Sequence, residues 1–287
     1  MKFDKLKEIF LLVTTQCNWN CQHCYLSHND KMSVDLVDEI IDALGNKYKI
    51  TIIGGEILTD LQYLRFFPKI GQNYILTNGL ELYKNPSTYD LLKEFGINTI
   101  ALSYYFDYDK FFCGVPREKV EEVIKESKKR GFAVSLNTVI GEFNYFDILN
   151  MSNKAVELGV DSLKLLNYVN MGKGANHKDY LLPKQHINIF FSELQKARMQ
   201  YNGKITIKYH RSFGACPNSD EEIMQKNNRL CWAGKEYIVI DSLGKIYSCP
   251  FVMGTGLEIG KYEKGKLIKL CGLMENNRKE CIAYYYN

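Results

Sequence analysis

Three cysteines near the start of the chain are the residues whose type and spacing most directly indicate chemistry. Cys17, Cys21 and Cys24 follow one another as C-x3-C-x2-C in a short polar segment. Three thiolates on one tight loop can ligate three irons of a 4Fe–4S cube and leave the fourth iron open to a small molecule. Zinc is the alternative, with His23 or His28 as a fourth ligand, but zinc-binding cysteines usually come as two separated pairs. The spacing therefore favours an iron–sulfur cluster.

The chain carries nine cysteines in 287 residues, and those beyond the first three lie mostly in its last part. They are Cys113, Cys216, Cys231, Cys249, Cys271 and Cys281. An odd count, and an N-terminal segment without a signal-peptide cleavage site, argue against a full disulfide framework and for a reducing compartment. Thiols in such a compartment more often bind metal or do chemistry than pair as disulfides.

The first two thirds of the chain alternate short β-type runs with amphipathic segments. The predicted strands are Glu8–Thr14, Ile50–Ile53, Tyr74–Thr77, Ile97–Ser103, Phe132–Val139 and Ser162–Leu166. The predicted helices are Val34–Leu44, Asp60–Lys69, Ser87–Phe95, Arg117–Arg130, Phe146–Leu158 and Gln185–Gln200. Consecutive strand–helix units imply parallel strands with right-handed crossovers, and there are fewer units than in a closed barrel. The pattern predicts an α/β fold with a partial, TIM-like (β/α)6 barrel.

Each predicted strand ends in a segment that is polar or bears glycine or cysteine. These segments are Thr14–Cys24, Gly54–Glu56, Thr77–Gly79, Ser103–Tyr105, Asn137–Thr138 and Asn167. Parallel α/β folds place their chemistry at the carboxyl ends of the strands. We therefore expect these segments to line one site.

The alternation stops near residue 203, where we predict a boundary between a barrel domain (1–203) and a smaller domain (204–287). Short strands are predicted at Lys204–Lys208, Tyr237–Ile240 and Lys245–Tyr247. The last two strands form a hairpin that turns at Gly244. A helical stretch is predicted near Lys269–Arg278, so the second domain is expected to be a hairpin plus a helix.

The strand-end segments resemble the motifs of the radical S-adenosylmethionine (radical SAM) superfamily, and the resemblance covers nearly the whole chain. The C-x3-C-x2-C loop is highly specific when it follows the first strand. Gly54-Gly55-Glu56 resembles the family's GGE motif, and Thr77-Asn78-Gly79 resembles its TNG motif. Ser103 matches the serine of its Ser-x-Asp-Gly motif, which here is Ser-Tyr-Tyr-Phe.

The resemblance implies a role for each of these residues. The three cysteines would hold a 4Fe–4S cluster whose open iron chelates the amino and carboxylate groups of SAM. Glu56 would accept hydrogen bonds from the methionine ammonium, and Gly54 and Gly55 would let the backbone approach the ligand. The other implied cofactor-binding residues are Thr77, Asn78, Ser103, Asn137 and His23, the last as a ring near adenine. The cluster would pass one electron to the sulfonium, and the resulting 5′-deoxyadenosyl radical would remove a substrate hydrogen.

Cys231 and Cys249 bracket the predicted hairpin as C-x12-G-x4-C, which resembles the opening half of a SPASM or twitch extension. This resemblance implies one auxiliary 4Fe–4S cluster in a twitch-like domain, because five cysteines cannot fully ligate two cubes. Cys281 is the next predicted ligand. The fourth is Cys216 or Cys271, although Cys271 could instead be buried on a helix over Lys266–Leu273. An auxiliary iron left open to substrate, or five buried thiols, are the alternatives.

Further segments are candidates for a place in the reaction. Cys113 could donate a hydrogen atom, with a buried structural thiol as the alternative. Asn167–Gly174 resembles the Pro-x-Gly-x-Ala region that closes the cofactor site in SPASM relatives, or it is an ordinary loop. Tyr104–Phe106 and Tyr284–Tyr286 could line a substrate cleft or simply pack.

Composition limits the functions that remain. With 46% hydrophobic and 24% charged residues the chain is globular, and no apolar run is long enough for a membrane span. A net charge of +4 is too weak to indicate nucleic acid. We therefore expect a cytoplasmic protein with neither nucleic acid nor membrane as a partner.

The predicted function is that of a radical SAM enzyme that modifies a ribosomally synthesised peptide. Radical oxidation or rearrangement of a small molecule is the alternative, and a non-catalytic iron–sulfur or zinc-binding module is a third. No winged-helix-like segment for leader recognition is visible before the first strand, which slightly favours a small molecule, or a peptide handled by a separate leader-binding partner. An external one-electron reductant of the flavodoxin or ferredoxin type is expected.

Overall fold

The computed structural model describes residues 4–26, 29–108, 112, 114–213 and 232–270. Its strands are β1 (Glu8–Thr14), β2 (Lys49–Gly54), β3 (Tyr74–Thr77), β4 (Thr99–Ser103), β5 (Ala133–Ile140), β6 (Ser162–Asn167), β7 (Thr206–Tyr209), β8 (Tyr237–Ile240), β9 (Lys245–Tyr247), β10 (Gly260–Glu263) and β11 (Lys266–Lys269). Its α-helices are α1 (Val34–Leu44), α2 (Phe67–Ile70), α3 (Leu80–Lys84), α4 (Thr88–Glu94), α5 (Arg117–Lys129), α6 (Ile148–Glu157) and α7 (Ile187–Gln200). None of these described helices has the length and apolar character needed to cross a membrane.

The described strands form two sheets. One holds β3, β4, β5, β6 and β7 in that order, all parallel. The other has the order β11-β10-β9-β8-β1-β2, in which β1 is parallel to both of its neighbours. The strands β8 to β11 are antiparallel to one another. The predicted α/β architecture with parallel strands is confirmed.

A buried glutamine joins the two sheets between β2 and β3. The side-chain oxygen of Gln72 accepts a hydrogen bond from Ile52 N at 2.7 Å. Its amide nitrogen donates to Ile52 O and to Tyr74 O, both at 3.1 Å. This side chain supplies hydrogen bonds between β2 and β3, which are not paired with each other in a ladder. The strands β1 to β7 thus follow one another as a partial barrel.

The two faces of β5 show which side of the barrel is the core. Val134, Leu136 and Ile140 are fully buried in the main hydrophobic cluster. The alternate residues Ser135 and Asn137 are half-buried on the other face. Side chains alternate between the faces of a strand, so the second face lines the inside of the barrel. We call it the lumen face, and on β5 it carries both apolar and polar half-buried residues.

A helical segment follows each of the six predicted strands of the barrel. One of these segments differs from its prediction in the type of helix. The helix predicted over Asp60–Lys69 is a 3-10 helix (Leu61–Phe66) that continues into the short α2. Pro68 lies in the first turn of α2, where its missing N–H costs nothing, whereas within one continuous α-helix it would break a hydrogen bond.

The strand predicted over 204–208 is β7, and it lies beside β6 rather than with the C-terminal strands. The domain boundary at residue 203 stays a prediction. The predicted hairpin of β8 and β9 is present. The side chain of Asp241 accepts from Leu243 N and Lys245 N at 2.9 and 2.8 Å, and Gly244 turns the chain with φ 77°.

The helix predicted over Lys266–Leu273 is wrong in its described part, because Lys266–Lys269 is β11. Lys264 and Gly265 both have positive φ, at 46° and 75°, as a tight two-residue hairpin turn requires. That turn pairs β11 with β10 and imposes extended geometry. Residues from 271 onward, and with them most of the predicted Lys269–Arg278 helix, lie outside the described residues.

Candidate active site

The three predicted cluster ligands lie on the loop that follows β1. Cys17, Cys21 and Cys24 form no disulfide, and the first is exposed while the others are half-buried. Burial, and then the charge of the Cys21 thiol, raise the pKa of Tyr105 well above its usual range. Three thiols on one short loop suit three ligands of an iron–sulfur cube. Within the described residues no three metal-binding side chains converge on one point, so the choice of a cluster over zinc stays a prediction from the spacing.

Gly54-Gly55-Glu56 holds the beginning of the cysteine loop. Gly55 N donates to Thr14 O at 2.7 Å, and Glu56 N donates to Gln16 O at 2.8 Å. A Cβ atom on Gly55 would lie 2.4 Å from Gln16 O, a distance that no side chain tolerates. The backbone that comes close to Gly55 is therefore the backbone of the cysteine loop. Approach of SAM to the same backbone stays a prediction.

The carboxylate of Glu56 is only 1% exposed. Its Oε2 accepts from Asn78 N at 2.7 Å and its Oε1 accepts from Leu58 N at 3.2 Å. Burial raises the pKa of Glu56 to about 7, against the opposing effect of these hydrogen bonds and of the Thr77 hydroxyl. Glu56 thus links the turns after β2 and β3, and an arriving ammonium group would favour its ionised form. Contact with SAM stays a prediction.

Asn78 connects the turn after β3 to the first thiol. Its Nδ2 lies 3.6 Å from Cys17 Sγ and donates to Asn18 Oδ1 at 2.8 Å. Its Oδ1 accepts from Leu80 N at 2.9 Å and so caps α3. Hydrogen bonds to ligand sulfurs tune the potential of an iron–sulfur cluster, so the structure places this amide beside the cluster ligands.

His23 belongs to an aromatic wall on one side of the cysteine loop. Tyr105 Oη and His23 Nε2 are 2.9 Å apart, and the His23 ring centroid lies 4.5 Å from that of Phe112. Burial lowers the pKa of His23 to about 4, so the ring is neutral near pH 7. A neutral ring enclosed by aromatic side chains fits stacking contacts, while the predicted contact with adenine is not tested.

Tyr104 and Phe106 are packing residues, unlike Tyr105 between them. Both are buried, with ring centroids 4.7 Å apart, and Tyr104 Oη donates to Glu121 Oε1 at 2.6 Å. Phe106 has φ 55°, the left-handed region that glycine adopts without strain. It occupies the position of the glycine in the Ser-x-Asp-Gly motif.

Ser103 and Asn137 lie side by side on the lumen face. They are register partners in the ladder between β4 and β5, and the same row continues from Asn137 to Lys164 and from Lys164 to Lys208. The sequence analysis did not identify these two lysines. The signal was present in the alternation of β6 and β7, where Lys164 stands between two buried leucines and Lys208 follows the buried Ile207.

Residues 11–155 match the family model of the radical SAM superfamily. The chain belongs to the radical SAM superfamily. Membership implies a 4Fe–4S cluster and SAM, and the donor set of the loop after β1 fits such a cluster. The part of the chain matched by the model runs from β1 to α6 and so includes this loop.

Two curated radical SAM relatives match most of the chain. A probable GTP 3′,8-cyclase of Sulfurisphaera tokodaii is 27% identical over 274 residues, which cover 88% of this chain and 84% of the relative. An S-adenosylmethionine-dependent nucleotide dehydratase of Fibrobacter sp. is 21% identical over 262 residues, covering 82% of this chain and 75% of the relative.

Solved radical SAM structures share the fold. Streptococcus suis SuiB bound to its precursor peptide SuiA aligns with a TM-score of 0.68 and 16% identity, over 91% of this chain and 63% of SuiB. The chain therefore spans less than two thirds of SuiB. The structure of anSMEcpe with bound AdoMet aligns with a TM-score of 0.63 and 17% identity, over 88% of this chain and 77% of the other.

In this radical SAM protein the segment after β6 closes over the third cysteine. Lys173 N donates to Cys24 O at 2.8 Å, and a Cβ atom on Gly172 would lie 2.3 Å from Tyr25 O. Burial raises the pKa of the Cys24 thiol, while the Lys173 ammonium opposes this shift. The part of Asn167–Gly174 that carries these glycines thus packs on the cysteine loop.

Of the predicted auxiliary ligands, only Cys249 is described. It is buried and precedes the short 3-10 helix Pro250–Val252. Burial and then the charges of the Cys24 and Cys249 thiols raise the pKa of Tyr25, so this ring lies close to both cysteines. The other predicted ligands (Cys216, Cys231, Cys271 and Cys281), Cys113 and Tyr284–Tyr286 lie outside the described residues. The auxiliary site therefore stays a prediction.

Proposed function

We propose that this radical SAM enzyme cleaves SAM reductively at the loop after β1 and removes a hydrogen atom from a small molecule bound against the lumen face. The observation that carries this proposal is a loop with three thiols that is hydrogen-bonded to the turn carrying Glu56 and to the segment after β6. The strand ends that hold the loop also carry Glu56, Ser103 and Asn137. Parallel α/β barrels use this end for catalysis.

The chain's own residues would bind and orient the reactants. Cys17, Cys21 and Cys24 would hold a cluster that, when bound, supplies one electron for cleavage of the C5′–S bond, giving methionine and a 5′-deoxyadenosyl radical that takes the substrate hydrogen. Glu56 would accept hydrogen bonds from the methionine ammonium. Asn137 would donate to SAM oxygen atoms. The electron would come from a cytoplasmic reductant of the flavodoxin or ferredoxin type.

Two substrate classes compete for the lumen. The sequence analysis favours a ribosomally synthesised peptide, and the likeness of fold to SuiB with its precursor peptide agrees with that choice. The two relatives detected by sequence are instead named for reactions on nucleotides, and the first shares more identity with this chain than SuiB does. A shared fold carries little information on substrate. We therefore propose a small molecule of the nucleotide kind and keep peptide modification as the second candidate.

We also propose an auxiliary 4Fe–4S cluster held by Cys249, Cys231, Cys281 and either Cys216 or Cys271. The contact between Tyr25, next to Cys24, and Phe251, two residues after Cys249, supports a position close to the first cluster, since their ring centroids are 5.2 Å apart. Iron and sulfide analysis of anaerobically reconstituted protein tests this. About eight irons per chain are expected, and about four would leave only the first cluster.

Release of 5′-deoxyadenosine is the decisive test of the enzyme. Reconstituted protein with SAM and dithionite should form 5′-deoxyadenosine by chromatography and mass spectrometry, and a Cys21→Ala variant should not. No product from the wild-type protein would overturn the radical reaction. For the substrate, nucleoside triphosphates should raise the rate of product formation. A rise only with a short peptide encoded beside this chain would favour the second candidate.

A further inference from the structure

Lys164 and Lys208 are neighbours on the lumen face. They are register partners in the parallel ladder of β6 and β7, so their Cα atoms lie about 5 Å apart and their side chains project from the same face. The row continues through Asn137 to Ser103, two of the implied SAM contacts. The lysines are therefore level with the proposed SAM site along the strands, and one to two strands away from Asn137.

Neither lysine has a partner among the described residues. No ion pair or hydrogen bond there involves either ammonium group, and no other charged side chain occupies the lumen face of β3 to β7. Some lysines on the outer surface do have a partner. Lys49 pairs with Glu8 at 2.7 Å, and Lys128 pairs with Asp161 at 2.8 Å. The lumen pair is thus a local concentration of positive charge without a counter-charge in the described chain.

Two adjacent ammonium groups on one face of a sheet repel each other. Burial lowers the pKa of Lys164, and the charge of Lys208 lowers it further. An anion between the two groups would remove this repulsion, because each ammonium would then gain an opposite charge at short range.

The row below the lysines provides space and further hydrogen-bond donors. Ser135, Ser162 and Thr206 are register neighbours one pair toward the amino ends of β5, β6 and β7. Their side chains are short, and the Ser162 hydroxyl already donates to Ser135 Oγ at 2.8 Å. Small hydroxyl-bearing residues beneath two lysines leave room for an oxygen-rich group.

We propose that Lys164 and Lys208 bind a phosphoryl group of the substrate. A phosphoryl monoester carries a charge near −2 at pH 7, which matches two ammonium groups, whereas one carboxylate would leave one lysine uncompensated. The phosphoryl group would lie against β6 and β7, and the reacting carbon would point toward SAM over β4 and β5. This inference rests on the proposed function, because it assigns the substrate's anionic end within the same lumen.

Calorimetric titration with inorganic pyrophosphate tests the lysine pair without a need for activity. Wild-type protein should bind pyrophosphate, and Lys164→Gln and Lys208→Gln should each weaken binding by about tenfold or more, as loss of a charged hydrogen-bond partner does. Lys208→Arg should retain most of the affinity. Lys266→Gln, which changes an exposed lysine on β11, is the matched control and should bind like wild type.

Two outcomes would overturn the inference. One is unchanged pyrophosphate affinity in the Lys164→Gln, Lys208→Gln double variant, with circular dichroism showing that it is folded. The other is equal or tighter binding of the dicarboxylate glutarate, which would assign the pair to carboxylates. Failure of the proposed function is separate. Pyrophosphate binding without 5′-deoxyadenosine formation would leave the anion site and remove the radical reaction, and the converse result would remove only the anion site.

Discussion

The loop after β1 and the turn at Cys249 both present thiols, but the chain holds them in different ways. The first is bonded to distant segments. Glu56 N donates to Gln16 O, Lys173 N donates to Cys24 O, and Gln22 N donates to Phe112 O at 3.1 Å. Cys249 instead lies in a small local cluster with Ala233, Tyr247 and Val252.

This difference indicates which of the two thiol-bearing segments is held in position by more of the structure. A loop held by bonds to the turns after β2 and β6 can move only if several elements move together. The turn at Cys249 is held by packing within its own hairpin and, through the Phe251 ring, by packing against Tyr25. Catalytic groups must be held in position by surrounding contacts, so we expect substitutions around the first loop to have the larger consequences.

Loss of a thiol should separate the two regions most clearly. Cys21→Ser should remove the SAM-responsive cluster and abolish 5′-deoxyadenosine formation, because the cube loses one of three ligands. Cys249→Ser should lower the iron content by the auxiliary cluster alone. Iron analysis and electron paramagnetic resonance with and without SAM measure both effects. Full iron content in Cys249→Ser would break the comparison, since Cys249 would then be a buried thiol only.

Gly55→Ala should be the most damaging substitution that leaves every thiol in place. Its Cβ would lie 2.4 Å from Gln16 O, and relief of that clash would displace the cysteine loop. We expect a loss of about 3–5 kcal/mol in the free energy of unfolding, measured by urea denaturation, together with loss of SAM cleavage. Gly159→Ala is the control. Gly159 has φ 67° and open space around it, so the cost should be about 1–2 kcal/mol with cleavage retained.

Glu56 should make SAM binding depend on pH. Its pKa is raised by burial from 4.5 to about 7, so the folded protein without SAM binds a proton more tightly than the unfolded chain does. The free energy of unfolding should then decrease as the pH rises from 4.5 to 7, by about 1.4 kcal/mol per pH unit at most. A methionine ammonium needs the ionised carboxylate, so SAM affinity should rise by up to about tenfold per unit toward pH 7 and then level off.

Equilibrium titration of SAM between pH 5.5 and 8.5 would measure that dependence. Glu56→Gln removes the titrating group and keeps a hydrogen-bond acceptor, so its affinity should vary little with pH. A wild-type profile as flat as that of Glu56→Gln would remove Glu56 from SAM binding. The residue would then act only as the link between the turns after β2 and β3.

Asn78→Asp should have the smallest effect, on the reduction potential of the first cluster. The substitution keeps the oxygen that caps α3 but replaces the N–H donor near Cys17 Sγ by a negative charge. Both changes favour the oxidised cluster, so the midpoint should become more negative by about 40 mV, the one-electron equivalent of about 1 kcal/mol. Redox titration measures it. Asn73→Asp, on an exposed residue, should leave the potential unchanged.

Much of the fold could be predicted because local patterns carry it. The strand β1 has the predicted bounds, and α1 begins after Ser33, whose side chain accepts from Leu36 N. The turn at Gly244 follows from one glycine with positive φ. The error at Lys266–Lys269 has the same origin. A short apolar run flanked by lysines fits the period of a helix as well as that of a strand. The tight turn at Gly265 makes it a strand.

By itself, the sequence determined the order of the strands from β1 to β9, the cysteine loop at the end of β1 and membership of the radical SAM superfamily. Only the tertiary structure decided that β8 joins β1, that Gln72 links β2 to β3, and that Lys164 lies beside Lys208. The physical reason is the range of the interactions. Periodicity, caps and turns act within a few residues, whereas strand order and register depend on hydrogen bonds and packing between segments far apart in the chain.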